Sequence, residues 1–332
     1  MRAVGICVTL LAAGAGAPAL ADHLGAGSGP GTSGPVNTIS ASTLPRGKVA
    51  VGLRVTYAKP DVLSDAELQA RAAQGIEAHT TDHLLSPSAG VAVGVTDDFT
   101  IALSIPYLQR SRLRAGGFGA VEGLGTSQGV GDLTLLGEYR VLGTGSDRWQ
   151  AAVLAGLKMP TGATHEIDRN GARFETEHQP GTGSWDPLLG VAVTRRLDRF
   201  SIDASALYQF SSGGAQHTTL GDRAQYNVGI SHRIGGGEHH HDDGDAAPHP
   251  HHEAAWDLIL EANGEWEGRQ RVGGVVEEES GGNVIYLSPG ARFVSPAGWS
   301  VFLSAGLPII QDIRPSHPDN RFRVIAGASW AF

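Results

Sequence analysis

The sequence predicts an all-β protein: a transmembrane, antiparallel, up-and-down β-barrel of about twelve strands, of the bacterial outer-membrane type. Three observations carry this expectation. Segments about ten residues long, the length a tilted membrane strand needs, alternate apolar with small or polar side chains along the chain. The connections between them alternate between short and long. The last segment places Phe322, Val324, Ala326, Ala328, Trp330 and Phe332 on one face, because strand side chains alternate with period two, and it stops on that aromatic residue.

The N-terminus reads as an export signal. Met1 and Arg2 form a short basic region, Val4–Ala13 is apolar, and Ala19 and Ala21 are small residues where a signal peptidase reads, so residues 1–21 are expected to be removed. Cys7, the single cysteine, lies in this stretch, which leaves the mature chain without thiol or disulfide chemistry. No later stretch approaches the ~18–20 apolar residues of a spanning helix. Residues 22–47 are expected to form a flexible periplasmic segment, since Asp22–Pro35 is rich in Gly, Ser and Pro; threading into the lumen as a plug is the alternative.

The barrel is expected over residues 48–332. Its strands read as Lys48–Tyr57, Leu85–Val95, Phe99–Tyr107, Gly131–Val141, Trp149–Met159, Trp185–Val193, Phe200–Phe210, Ala224–Ile234, Trp256–Trp266, Ile285–Phe293, Trp299–Ile309 and Phe322–Phe332. Thr96–Asp98, Leu142–Arg148, Arg195–Arg199 and Ser295–Gly298 are short turns. Ala58–Leu84, Leu108–Val130, Pro160–Ser184, Ser211–Arg223, Glu267–Val284 and Gln311–Arg321 are long and polar. Such asymmetry places the short turns and both termini in the periplasm. Within the first long connection, Ser64 and Glu67 have the spacing of a capping box, predicting a short helix to about Ala73.

Composition agrees without deciding. Of 332 residues, 47 are Gly, aromatics are 6% and charged residues 18%; the 41% apolar fraction suits a globular protein equally, so the pattern is the argument. A net charge of -9 argues against nucleic acid as a partner. The aromatics instead mark strand ends. Phe99, Trp149, Phe200, Trp256, Phe293, Trp299 and Trp330 fall near the short turns. Tyr57, Tyr107, Trp185, Phe210, Tyr226, Trp266 and Phe322 fall near the long connections. Two such belts are what interfacial rings in a bilayer give, making outer-membrane lipid the expected surroundings.

Inward positions carry small residues and charges of both signs, predicting weak ion selectivity. The lumen candidates are Arg54, Leu136, Glu138, Arg140, Leu154, Lys158, Leu188, Leu207, Glu261 and Arg292. Asp132, Glu138, Arg140 and Lys158 are placed to pair on one hairpin. Leu136, Leu154, Leu188 and Leu207 fall on four successive strands and form an apolar strip. Such a strip suits the passage of aromatic or weakly polar molecules, or simple packing in a narrow barrel; both readings stand.

Residues 235–255 are a His-rich insertion on the periplasmic side. His239, His240, His241, His249, His251 and His252, with neighbouring acids, are the metal candidates, for Zn, Cu or Ni; no cofactor is required. A metal-binding accessory barrel is therefore the alternative function. Catalysis is not expected: Ser231 and His232 are strand neighbours and point to opposite faces. Loop residues His83, His165, His178 and His217 lack a nucleophile context, and Gly125–Gly129 lacks the strand–turn–helix setting of a nucleophile elbow.

Several blocks then add up: Thr38–Gly47 before the first strand, Gly94–Thr100 at the first turn, Ile105–Tyr107, Gly129–Arg140 and Ser288–Gly290. Over nearly the whole mature chain, the sequence resembles the outer-membrane β-barrels grouped as the phenol-degradation meta-pathway transporter family. The resemblance implies a channel for small-molecule solutes, with aromatic compounds proposed as solutes for some members. It brings no defined functional residues. The final strand also resembles those whose terminal Phe is read by the barrel-assembly machinery, the expected partner of Phe332.

Overall fold

The computed structural model describes residues 34–117, 119–144, 147–236 and 254–332. Twelve antiparallel strands close into one barrel: β1 Val49–Pro60, β2 His83–Thr96, β3 Phe99–Gly116, β4 in two segments Val121–Val130 and Leu133–Leu142, β5 Trp149–Met159, β6 Asp186–Leu197, β7 Phe200–Gln209, β8 Arg223–Gly235, β9 Ala255–Glu267, β10 Gly282–Val294, β11 Trp299–Ile313 and β12 Asn320–Ala331. Each pairs with its sequence neighbours, and β1 pairs with β12 from Ala50↔Ala331 to Lys59↔Phe322. The seam ends at the chain terminus, where Val49 and Phe332 exchange two backbone hydrogen bonds of 3.0 Å. Closure leaves no strand edge, the condition for a β-structure to stand in lipid. Among the described residues, no helix is long and apolar enough to cross a membrane.

Period two decides which side chains face inward. On β1, Ala50, Gly52, Arg54, Thr56 and Ala58 are buried while Leu53 and Val55 are exposed. Burial alternates in the same way on most of the other strands, so most wall charges are hidden and most large apolar side chains displayed. Outward-facing aromatics, exposed or half-buried, gather at the two ends of the barrel wall. At the short-turn end, Trp256, Phe293 and Trp299 lie at successive centroid distances of 5.2 and 5.4 Å. At the other end, Tyr57 lies 6.1 Å from Phe322 and Tyr208 lies 4.7 Å from Phe210.

The first long connection contains the helix α1, Asp65–Ala72. Ser64 caps it, its hydroxyl accepting from the Glu67 amide while the Glu67 carboxylate accepts from the Ser64 amide. Two expectations need correction. Leu108–Val130 is a β-hairpin, not a polar loop: β3 runs on to Gly116 and pairs with Val121–Val130. The alternation is hidden there by register shifts and by positive φ at Arg112 (56°) and Gly125 (97°). Residues 35–42, within the segment expected in the periplasm, are held inside the barrel, the alternative placement, while Pro45–Gly47 are exposed at the short-turn end. Residues 1–33 and the His-run lie outside the described residues.

An outward face built for lipid predicts the cost of a charge on it. Leu303, 56% exposed on β11, is replaced by Arg in this test. The expected loss is about 2–4 kcal/mol, read from urea unfolding of the barrel in lipid vesicles. A change below about 0.5 kcal/mol, usual for a water-facing site, contradicts the membrane-facing assignment.

Candidate functional site

Inside the barrel, the wall meets the chain's own N-terminal segment. From Lys48 the chain turns back at the short-turn end, where the Gly47 amide donates to Gly94 O at 2.8 Å and the Leu44 amide to Thr100 Oγ1 at 2.8 Å. It then crosses the lumen. Ser42 Oγ donates to Gln150 Oε1 on β5 at 3.0 Å, and the Ala41 amide to Thr194 Oγ1 on β6 at 2.9 Å. The Ile39 amide reaches Ser205 Oγ on β7 at 3.1 Å. The crossing ends on β9, β1 and β10.

Glu261 is the anchor. This carboxylate is 0% exposed, and it accepts from the backbone amides of Val36 (3.3 Å), Asn37 (2.9 Å) and Thr38 (2.8 Å) and from the Thr38 hydroxyl (2.8 Å). Arg54 Nη1 donates to Val36 O at 2.8 Å, its Nη2 to Asn37 Oδ1 at 2.5 Å, and Arg292 Nη2 to Pro35 O at 2.9 Å. Charged wall residues thus satisfy a backbone that forms no ladder of its own, which buried peptide groups demand.

The four leucines meet as their period places them. Leu136, Leu154, Leu188 and Leu207 form one buried cluster with Ala152, Ala192, Ile39 and Ala41. Gly156 faces Leu136 and Leu188 across the ladder, and Gly190 faces Leu154 and Leu207, leaving room for each isobutyl group. The strip is therefore half of an apolar contact whose other half is the inserted segment.

The remaining lumen candidates divide. Lys158 pairs with Asp132 at 3.1 Å and Asp186 at 2.7 Å. Arg140 pairs with Asp98 in the β2–β3 turn at 2.7 Å, not with Glu138. Glu138 Oε1 is buried without a hydrogen-bond partner, so of the four residues placed to pair on this hairpin Asp132 and Lys158 do and Glu138 and Arg140 do not. Arg233 holds Asp257 at 2.7 Å, and Arg323 pairs with Glu265 while lying 4.0 Å over the Tyr286 ring. The six candidate metal ligands between His239 and His252 lie outside the described residues. Ser231 is buried on the inner face, whereas His232 stacks on the exterior Phe200 at 4.3 Å.

Sequence reasoning missed two features. One is the roles of Val36, Asn37 and Thr38, whose only local signal was the polar block before β1. The other is a group of His and Glu at the long-loop end: His79, Glu175, Glu177 and His178, whose ligand atoms all lie within 4.8 Å of one another. Glu175, Glu177 and His178 lie together in the β5–β6 connection, but His79 comes from the β1–β2 connection, so no sequence spacing joins the whole group.

A closed barrel with a lipid-facing exterior and a lined interior defines an outer-membrane β-barrel protein. The chain belongs to the family described as "Putative MetA-pathway of phenol degradation", whose model matches residues 59–309. Its fold is similar to that of an outer-membrane channel from Pseudomonas putida F1, with a TM-score of 0.57 and 15% identity over 88% of this chain and 98% of that one. Lesser similarity extends to the β-domain of the Bordetella autotransporter BrkA, with a TM-score of 0.48 and 10% identity over 86% of this chain and 100% of that one. The toluene transporter TbuX of Ralstonia pickettii gives a TM-score of 0.38 and 10% identity over 87% of this chain and 90% of that one. A comparison with curated protein sequences finds no match. The metal-binding alternative draws no support from these similarities.

Replacing Glu261 with Ala removes the acceptor for three successive amides and one of the two carboxylates that act on Arg54. Charge-assisted hydrogen bonds contribute about 1.5–3 kcal/mol each. Amide exchange of Asn37 and Thr38 is therefore expected to accelerate at least about a hundredfold, while amides of the wall strands stay protected. Unchanged exchange at these two residues contradicts the anchoring role.

Proposed function

We propose that the protein is a passive channel of the bacterial outer membrane that admits small, weakly polar or aromatic solutes, without catalysing a reaction on them. The observation carrying this reading is the apolar seam inside the barrel, where the four leucines of β4 to β7 face Ile39 and Ala41. An interior kept only to hold water and salts gains nothing from a leucine surface, whereas a ring-bearing solute sheds its hydration against one. The P. putida structure, described as an outer-membrane channel, supports the same class of activity.

The wall charges fit this reading. Lys158 and Arg233 are paired with acids on neighbouring strands, Arg323 with Glu265 three strands away, and Arg54, Arg292 and Glu261 are occupied by the segment. Few charges are left to draw an ion through, so a solute is selected by surface chemistry and width more than by sign. In the resting state the segment fills the seam, and a solute moves by taking the place of Ile39 and Ala41 against the leucines. The short-turn end faces the periplasm in this reading, so the segment lies toward the inner mouth.

Replacing Leu154 and Leu188 together with Asn tests the seam. Uptake of a small aromatic acid into vesicles is expected to fall several-fold more than uptake of a sugar of similar mass, because only the aromatic solute loses an apolar surface. Equal effects on both solutes reduce the leucines to packing and remove the basis for the solute class.

A further inference from the structure

Four long connections converge on one carboxylate at the barrel end opposite the short turns. Glu177 lies in a single helical turn, Thr176–His178, between β5 and β6, and is 5% exposed. Gln270, from the β9–β10 connection, donates to Glu177 Oε2 at 2.6 Å and so orients the group. The other oxygen, Oε1, faces three imidazoles. His79 Nδ1, from the β1–β2 connection, is 3.3 Å away, and His178 Nε2 is 3.7 Å away. His317 Nε2, from the β11–β12 connection, is 3.9 Å away. All three rings are buried, at 7%, 1% and 8% exposure respectively.

The spacing fits a small cation with nitrogen and oxygen ligands. His79 Nδ1 and His178 Nε2 are 3.1 Å apart, so with Glu177 Oε1 they form a triangle with edges of 3.1, 3.3 and 3.7 Å. Bonds of about 2.0–2.1 Å in a tetrahedral zinc site put neighbouring ligand atoms about 3.3–3.4 Å apart. Glu175 stands on the exposed side, its Oε2 3.7 Å from His79 Nε2, and one ligand atom from each of the four residues lies within 4.8 Å of the others. Two carboxylates and two neutral imidazoles leave no net charge on binding a divalent ion.

His317 gives an independent indication. Ser316 Oγ donates its single proton to Glu279 O at 2.6 Å, so at 2.8 Å from His317 Nδ1 it accepts, and Nδ1 carries the hydrogen. In the neutral ring the lone pair is then on Nε2, which is buried and has no hydrogen-bond partner. That lone pair looks toward Glu177 Oε1 across 3.9 Å, too far for a hydrogen bond. A cation between the two resolves their repulsion.

We propose that His79, Glu175, Glu177 and His178 bind a divalent transition-metal ion of the zinc class, with His317 Nε2 facing the ion and Gln270 orienting Glu177. The site ties the β1–β2 and β5–β6 connections together across the long-loop mouth, with those of β9–β10 and β11–β12 packed around it. It stands apart from the seam and does not depend on what passes through the barrel. Its ligands are also distinct from the His-run of residues 239–252, whose binding the test must silence.

The test uses the full chain, folded in detergent, with His239, His240, His241, His249, His251 and His252 replaced by Asn and bound metal stripped by chelator. Zinc is then titrated by calorimetry, and crystals grown with zinc are measured at its absorption edge. One zinc per chain is expected, with an anomalous peak bounded by His79 Nδ1, His178 Nε2 and Glu177 Oε1. His178→Gln is expected to lower the affinity at least about a hundredfold. Gln270→Ala, which removes only the orienting donor and keeps every ligand, is expected to lower it about 10–100-fold. Heat-modifiable migration of both variants checks that the barrel has folded. Absence of stoichiometric zinc overturns the proposal. So does unchanged affinity in a folded His178→Gln or Gln270→Ala variant, or a doubly protonated His317 paired with Glu177 and no anomalous peak.

Discussion

A carboxylate with no access to water must find donors or lose its charge, and the interior of this barrel is organised around Glu261 meeting that demand. No neighbouring strand supplies enough hydrogen bonds, because strand amides are spent on the ladder. The donors come from a segment with no ladder: the amides of Val36, Asn37 and Thr38 turn toward the same two oxygens. Arg54 and Arg292 then take the carbonyls of Val36 and Pro35, so the segment's polar groups and the wall's charges satisfy each other. Once that end is held and Gly47 is fixed to Gly94, residues 39–41 have little choice but to lie against β5 to β7.

The same geometry explains why a narrow barrel carries so many internal charges and yet offers few of them to a passing ion. Period-two alternation forces every second residue inward, where lipid cannot be its solvent. Lys158 between Asp132 and Asp186, and Arg233 on Asp257, show one solution, in which opposite charges pair on adjacent strands. The segment supplies the other. The β4–β7 quadrant is left apolar, and the segment presents Ile39 and Ala41 there in place of hydrogen-bonding groups, while its Val36 packs on a smaller apolar patch of Ile259 and Ile325 across the lumen.

The strand ladder, the girdles and the Ser64–Glu67 cap were legible in the sequence because each depends on residues a few positions apart. Alternation over ten residues is sufficient to find the strand from Trp299, although it runs past Ile309 to Ile313. Where a local signal is broken, reading fails: the bulged hairpin Gln109–Val130 looks like a Gly-rich loop, since Arg112 and Gly125 shift the register. Where the partner is remote, no local signal exists. Asn37 finds Glu261 across 224 positions, so the polar block before β1 looks like a tether. Among the ten lumen candidates, the leucines are gathered by period alone, but Arg140 turns to Asp98 instead of Glu138 because the tight β2–β3 turn brings that carboxylate closer. His79, Glu177 and His317 come from three connections and are joined only by the closed barrel.

If the barrel is a channel, the N-terminal segment, and not the wall, limits its open cross-section. Single-channel recording in planar bilayers tests this, comparing a chain that begins at Asp22 with one that begins at Lys48. Removing the segment vacates the seam and the Glu261 anchor while leaving all twelve strands in place, so the account predicts a several-fold larger unit conductance. An unchanged conductance, from a truncated barrel shown to be folded by its heat-modifiable migration, would contradict it.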